Sequence, residues 1–553
     1  MTMRIRIILV SVLLLAVNAV RLGAQTGINS TVEVERDYEG RITSIEKAPM
    51  DIPVDDSLLN FNLDFNYTTF YSPYKDLYEF SPTLTVGPAD YGKVVYPWLY
   101  ARLAASYPWT PSADLYVSPR LGGRFSFEVY VNHDSYWGKM PLTAYSGDRV
   151  VLSGEKSYGD RMRNKAGAAF GFRWKKGELG ISAGYAASMY ALNGGQGLSH
   201  KQIWNWNSNH FRHFDSRLNV RSVNSGTDAF YYNVDLGYRY FDNRSGVTEH
   251  LADADISMGA AFKEEHLLYL RFDGTFSNSG LWSLAPVYRW ERDRWRIKAS
   301  VVFSSAYGSG PSSSYRTLFY PDASVVYEAA RNTLWLFAEL HGEHRLLTRY
   351  DLYELNPWMD SGRGMFLKAV PVSLDLGLKG SVRDRFSYSL RAGYLRAADI
   401  LSFISAGGYQ RISGGSSHLL TAGSTLRWKS RDFFAQADLN YRYYTDSRAA
   451  LMTPAFDIRA VMEYNLKRRL FIRADCYFRT SVTGAAAGAA VSDPVSYYRV
   501  PSFVDIGLRV SYAVNTSVMV FLEADNLANS KIQYYLNYVE PGISVGAGLC
   551  LKL

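Results

Sequence analysis

Val504-Asp505-Ile506-Gly507-Leu508-Arg509-Val510-Ser511-Tyr512-Ala513 is the stretch on which the fold turns. Val504, Ile506, Leu508, Val510 and Tyr512 fall on one side of an extended chain, and Asp505, Gly507, Arg509, Ser511 and Ala513 on the other. After the turn Val514-Asn515-Thr516 the pattern resumes, with Val518, Val520, Leu522 and Ala524 set against Met519, Phe521, Glu523 and Asp525. It ends with Val545, Ala547, Leu549, Leu551 and Leu553 against Ser544, Gly546, Gly548, Cys550 and Lys552. Such runs exceed the usual soluble strand of about 5–6 residues and match the roughly 9–11 that cross a bilayer on a tilt. One face must then meet lipid, and the other a wet lumen in which Arg509, Glu523 and Lys552 keep their water. The expectation is an all-β chain, a transmembrane antiparallel β-barrel that closes on its own C-terminus.

A family resemblance sits between these last strands. Asp525-Asn526-Leu527-Ala528-Asn529, a loop bearing Tyr534, Tyr535 and Tyr538, and then Pro541-Gly542-Ile543 before the final strand resemble the end of TonB-dependent receptor barrels. The resemblance covers roughly Phe125 to Leu553 and is strongest in the last fifty residues. It implies energised uptake of chelates, vitamins or glycans through a plugged outer-membrane barrel. Two departures stand beside it: Leu553 occupies the place where an aromatic is commonest, and no recognisable plug or TonB box is expected ahead of the barrel.

Composition agrees with a barrel. An aromatic content of 15%, with 42 Tyr and 44 Gly, suits interfacial girdles and crowded strands better than a soluble enzyme. Mean hydropathy of −0.16 argues against a helical membrane protein. The net charge of +8 reads as a weakly basic lumen and loop set, spread over the strands, with no nucleic-acid footprint. Cys476 and Cys550 have no metal-ligand neighbours in sequence.

Taken in order, Met1 to Ala24 reads as a secretory signal peptide, with Arg4 and Arg6, an apolar core from Ile7 to Val20, and Leu22-Gly23-Ala24 at the cleavage site. Residues 25–57 form a short periplasmic segment, and 58–553 the barrel. Leu59 to Tyr71 and Val94 to Tyr107 are two early extended stretches, the second carrying an awkward Pro97. From Lys165 hairpins repeat around short, mostly charged turns such as Lys175-Lys176-Gly177, Arg383-Asp384 and Lys467-Arg468. Longer connections alternate with them, among them Lys139 to Asn164, Asn193 to Phe211, Arg345 to Val370 and Ser481 to Pro501. Short turns face the periplasm and long loops the outside in bacterial barrels. The count is about 20 strands from Phe125 onward, or about 22 with both early stretches, and the larger number is expected.

Candidate lumen-lining residues are Arg271, Asp273, Glu339, Asp438, Arg473, Asp475, Arg509 and Glu523. Mixed signs on one face can neutralise one another across strands, or line a polar path. Trp204, Trp206 and His210, in an aromatic and amide-rich loop, are candidate ligand contacts, with an interfacial girdle as the plainer reading. In Glu339-Leu340-His341-Gly342-Glu343-His344, strict alternation puts His344 on the opposite face from Glu339, His341 and Glu343. No metal site follows from that spacing.

Enzyme motifs are missing, and neither a catalytic residue nor a cofactor is expected. The expected partners are outer-membrane lipid, the barrel-assembly machinery and a periplasmic or surface lipoprotein, not nucleic acid. Two functions stay open: transport or binding of a solute at the outer membrane, and a non-transporting structural subunit of an outer-membrane assembly, secretion or surface complex. A barrel of this width leaves a large hole. The segment from Gln25 to Tyr91 and inward-folded loops such as Arg345 to Val370 are the candidates to obstruct it.

Overall fold

A strand in lipid can satisfy its backbone only by pairing on both edges, which an open sheet cannot do. The computed structural model describes residues 98–553, apart from 120, 122, 195–196, 206, 224–229, 263–264, 309–314, 332, 361–363, 383–384, 468 and 489–492. Within it, 22 antiparallel strands form one sheet. The strand Leu99–Tyr107 pairs with Ser112–Val117 on one side and with Ser544–Lys552 on the other, which closes the barrel. The seam runs from Tyr100 opposite Lys552 to Tyr107 opposite Val545. It is finished by Trp98 N–H donating to the Leu553 carbonyl at 2.7 Å.

Twenty of these strands lie from Phe125 onward. The other two differ from the expected pair. Leu99–Tyr107 is the second early stretch, and it starts beyond Pro97, so that proline costs no ladder bond. Its neighbour is Ser112–Val117, six residues too short and too mixed to stand out by period. The stretch Leu59 to Tyr71 lies outside the described residues, as do the leader and the segment 25–57.

Alternation decides what each side chain meets. Leu508 is 39% exposed and Leu522 63%, both on the outer face, whereas Phe521 on the inner face is 4% exposed. Cys550 also faces inward, with its Sγ 3.7 Å from the Tyr100 hydroxyl. Arg509 and Glu523 meet directly across the ladder.

The long connections build a second layer. Strands Lys139–Ser146, Arg149–Tyr158, Ser402–Ala406, Tyr409–Ser413, Val482–Ala487 and Ser496–Val500 form a separate six-stranded sheet. All six come from connections on the long-loop rim, so the sheet caps that end of the barrel. Two short helices, His200–Asn205 and Arg349–Leu355, belong to the same rim.

Two outcomes follow. A protease-cleavable tag at the exposed Gly147-Asp148 turn of the cap should be cut on intact cells, while one at Lys467 should be protected; the reverse pattern would invert the barrel. Leu508→Arg should impair assembly, because Arg near the bilayer midplane costs about 2–4 kcal/mol. Gly507→Ser should assemble normally, since a Cβ there comes no closer than 3.6 Å to its neighbours. Heat-modifiable gel mobility reports both, and equal tolerance would remove the argument from alternation.

Candidate functional site

Loops on the long-loop rim fold inward and pack an apolar core across the mouth. Its members include Leu352, Tyr353, Leu355, Trp358 and Met359 from one connection, Phe403 and Ile412 from the cap sheet, and Ile532, Tyr534, Tyr535 and Tyr538 from the last loop. The same cluster reaches the wall at Phe211 and Phe241, at Leu347, and at Phe503. Those wall residues belong to the sixth and seventh, the thirteenth, and the twentieth strands of the closed sheet. One continuous core therefore touches three well-separated arcs of the barrel.

Local chemistry explains why the connection 348–360 turns inward. Thr348 caps the helix Arg349–Leu355: its hydroxyl accepts from Asp351 N–H, and the Asp351 carboxylate accepts from Thr348 N–H at 2.9 Å. This reciprocal pair satisfies two donors that a helix start leaves open. Buried Glu249 accepts from the Arg349 backbone N–H at 3.1 Å, which suits a carboxylate at a helix N-terminus. Tyr350 stacks on His213 at 3.6 Å, and Asn243 donates to the Tyr353 hydroxyl at 3.2 Å. Beyond the helix, Asn209 donates to the carbonyls of Pro357 and Met359, and the Trp358 indole to Ala191 O at 3.1 Å.

The last loop is the other half of the closure. Tyr535 O–H donates to Leu355 O, and Tyr538 O–H to Gly408 O, so the tyrosine cluster ties helix and cap together. Asn537 adopts a left-handed backbone, and its amide bonds Tyr145 and Ser405 of the cap. Arg479 is 2% exposed, lies 4.6 Å from the Phe503 ring centroid, and donates to Gln533 O. Cation–π contact and a carbonyl acceptor together offset the desolvation of that guanidinium.

Below the mouth, the lumen holds the predicted charges in two groups. Arg271, Asp273 and Glu339 line a cavity of about 940 Å³, which Asp351 of the inward helix also borders. Arg271 Nε lies 3.0 Å from Asp273, and Lys298 Nζ 2.6 Å from Asp322. Asp235, Asp255 and Asp273 stand opposite one another on three neighbouring strands, a repulsive row that Arg271 partly balances. Arg473, Asp475, Arg509 and Glu523 instead line a cavity of about 120 Å³ beside the seam and under the last loop. There Arg473 pairs with Asp475 and Glu463 at 3.0 Å, and Arg509 with Glu523 at 2.8 Å. Arg102 joins Glu523 to Asp114. Asp438 borders neither cavity; it accepts from Thr425 and Gln436 in the wall.

The surface candidates separate from all of this. Trp204, 44% exposed, stacks on Trp137 at 5.7 Å and meets His210 edge-on at 6.5 Å. His210 shares a 2.9 Å hydrogen bond with Ser208. Trp206 lies outside the described residues. The pair Trp204 and Trp137 is placed as an interfacial girdle would be.

The expectation for His344 is corrected. The ladder shifts register between His341 and Glu343, and a bulge reverses which residues point inward. His344 is thereby buried, bonded to Ser304 Oγ at 2.9 Å and to Tyr315 O, and it borders the large cavity. Among the described residues no group of three His, Cys, Asp or Glu could hold a metal ion.

Glu540 supplies a pH handle on the closure. Its carboxylate lies 3.0 Å from Arg161, yet burial pushes it up to about 8, with Arg161 offsetting only part and Asp505 adding to the rise. A carboxyl raised in this way binds its proton more tightly when the loop is packed. It therefore favours the packed loop at low pH, and that advantage is lost as pH rises through about 8. Amide exchange in 526–543 should quicken between about pH 7 and pH 9 in the wild type and lose that dependence in Glu540→Gln; an unchanged dependence would remove Glu540 as its source.

No family model matches the sequence, and no curated protein does. Solved structures do match. The ferric enterobactin receptor of Pseudomonas aeruginosa superposes with a TM-score of 0.61 at 11% identity, over 84% of this chain and 81% of that one. The siderophore receptor PirA of Acinetobacter baumannii gives 0.60 at 10%, over 84% and 81%. The copper transporter OprC gives 0.59 at 12%, over 83% and 84%. At such identities the likeness is one of fold: the chain has the 22-stranded barrel of the TonB-dependent receptors that its last fifty residues resemble.

Proposed function

We propose that this protein binds a hydrophilic solute at the outer membrane and passes it through a barrel whose mouth its own loops close at rest. The observation that carries this reading is the mouth core lying directly above the charged 940 Å³ cavity, with Asp351 of the inward helix at their junction. A wall of mixed charge suits a polar solute once the core above it opens. Delivery to this site rests on the leader read at Met1–Ala24 and on insertion by the barrel-assembly machinery. The superposed receptors and transporters support the class of function; the solute depends on side chains in the mouth and lumen, which fold alone does not specify.

Planar-bilayer recording tests the closure. The wild-type protein should show little steady conductance. Trp358→Ala combined with Tyr535→Ala should open large steps, because losing a buried aromatic costs a core about 3–5 kcal/mol each. Large steady conductance in the wild type would favour a simple porin. A silent double variant would place a second seal below the mouth and favour a structural subunit instead.

A further inference from the structure

The charge of this barrel is concentrated at one end, contrary to the even spread expected from sequence. Ten connections lie on the short-turn rim, from 118–124 to 514–517. By sequence they carry thirteen Lys and Arg against six Asp and Glu, in 37 residues. The eleven connections on the opposite rim carry twelve against ten in 149 residues. The short-turn rim thus holds an excess of seven positive charges in a chain whose net charge is +8.

Placement narrows the partner. Basic residues occur in eight of the ten short turns, among them Arg124, Lys175 and Lys176, Arg294, Arg431, and Lys467 with Arg469, so they encircle the barrel. All of those named are exposed. Several adjoin exposed, outward-facing aromatic residues that mark the interface: Phe125 follows Arg124, Trp295 follows Arg294, and Trp428 precedes Lys429. A protein partner would engage one arc. A complete basic ring at the level of the girdle matches a ligand that surrounds the barrel and is negative at that depth.

We propose that the short-turn rim is a binding surface for anionic phospholipid headgroups of the leaflet on that side. Each Lys or Arg near such a surface contributes independently, and the sum is screened by salt. The ring would anchor the barrel's depth electrostatically where the aromatic girdle anchors it by amphipathic packing.

The test uses the full chain in vesicles of phosphatidylcholine with or without phosphatidylglycerol. Native mass spectrometry should find phosphatidylglycerol retained in preference to phosphatidylcholine, and the thermal midpoint should be higher in the mixed vesicles. Combining Lys175→Gln, Lys176→Gln, Arg431→Gln, Lys467→Gln and Arg469→Gln should weaken that preference by about fivefold per charge removed. A matched set on the other rim, Lys139→Gln, Arg149→Gln, Lys156→Gln, Arg411→Gln and Arg499→Gln, should leave it unchanged. Equal retention of both lipids by the wild type, or equal loss in both sets, overturns the proposal. Should the first set fail to assemble, the wild type decides: retention that falls steeply with added salt supports the ring, and retention indifferent to salt overturns it.

Discussion

Every backbone amide and carbonyl at membrane depth must find a partner within the protein, because lipid offers none. Here that constraint is met at one place above all, where Leu99–Tyr107 joins Ser544–Lys552 across the ends of the sheet. Once the sheet is closed, the two-residue period has no freedom left: each side chain belongs to lipid or lumen by parity. Charges on the inner parity then have to satisfy one another, and they do so in chains such as Asp114, Arg102, Glu523 and Arg509. These pairs are partly buried, so their mutual compensation matters more than any net stabilisation they bring.

The mouth obeys other rules. Its connections are free of the pairing requirement and use the devices of a soluble domain: a helix cap at Thr348, a core of aromatic side chains, and a small sheet of six strands. Aromatic residues suit this task because each buries a large area, while the tyrosine hydroxyls still reach acceptors such as Leu355 O and Gly408 O. Arg479 couples the two regimes, since it sits at the end of a wall strand and holds the last loop by its backbone.

What could be read in advance divides along the same line. Parity made the barrel, its inner and outer faces and the positions of Arg509, Glu523, Arg473 and Asp475 legible from residues alone, because period two is a one-dimensional signal. Ser112–Val117 was not, since six residues contain too few alternations to rise above a turn. His344 was misplaced because parity cannot anticipate the bulge after His341, where Gly342 leaves room for the Tyr320 ring that a Cβ would strike. The inward helix did carry a sign in Thr348-Arg349-Tyr350-Asp351, a short capping pattern. How Tyr534, Tyr535 and Tyr538 meet Trp358 had none, since nearly two hundred residues separate them and only closure of the barrel brings them together.

The same physics explains how a TM-score near 0.6 accompanies about 11% identity. On the outer face lipid accepts any apolar side chain, and on the inner face water or a facing charge accepts any polar one, so strand sequences drift while the ladder holds. Little in the wall is therefore specific to one solute. Specificity must lie where side chains are held in one arrangement by contacts from several elements. In this chain those conditions meet at the mouth, where the helix Arg349–Leu355, the cap sheet and the last loop converge above the charged cavity. The last loop also leads directly into Ser544–Lys552, the strand that closes the seam. Packing at the mouth and closure of the wall are thus consecutive along the chain, and the element that shuts the lumen is continuous with the one that completes it.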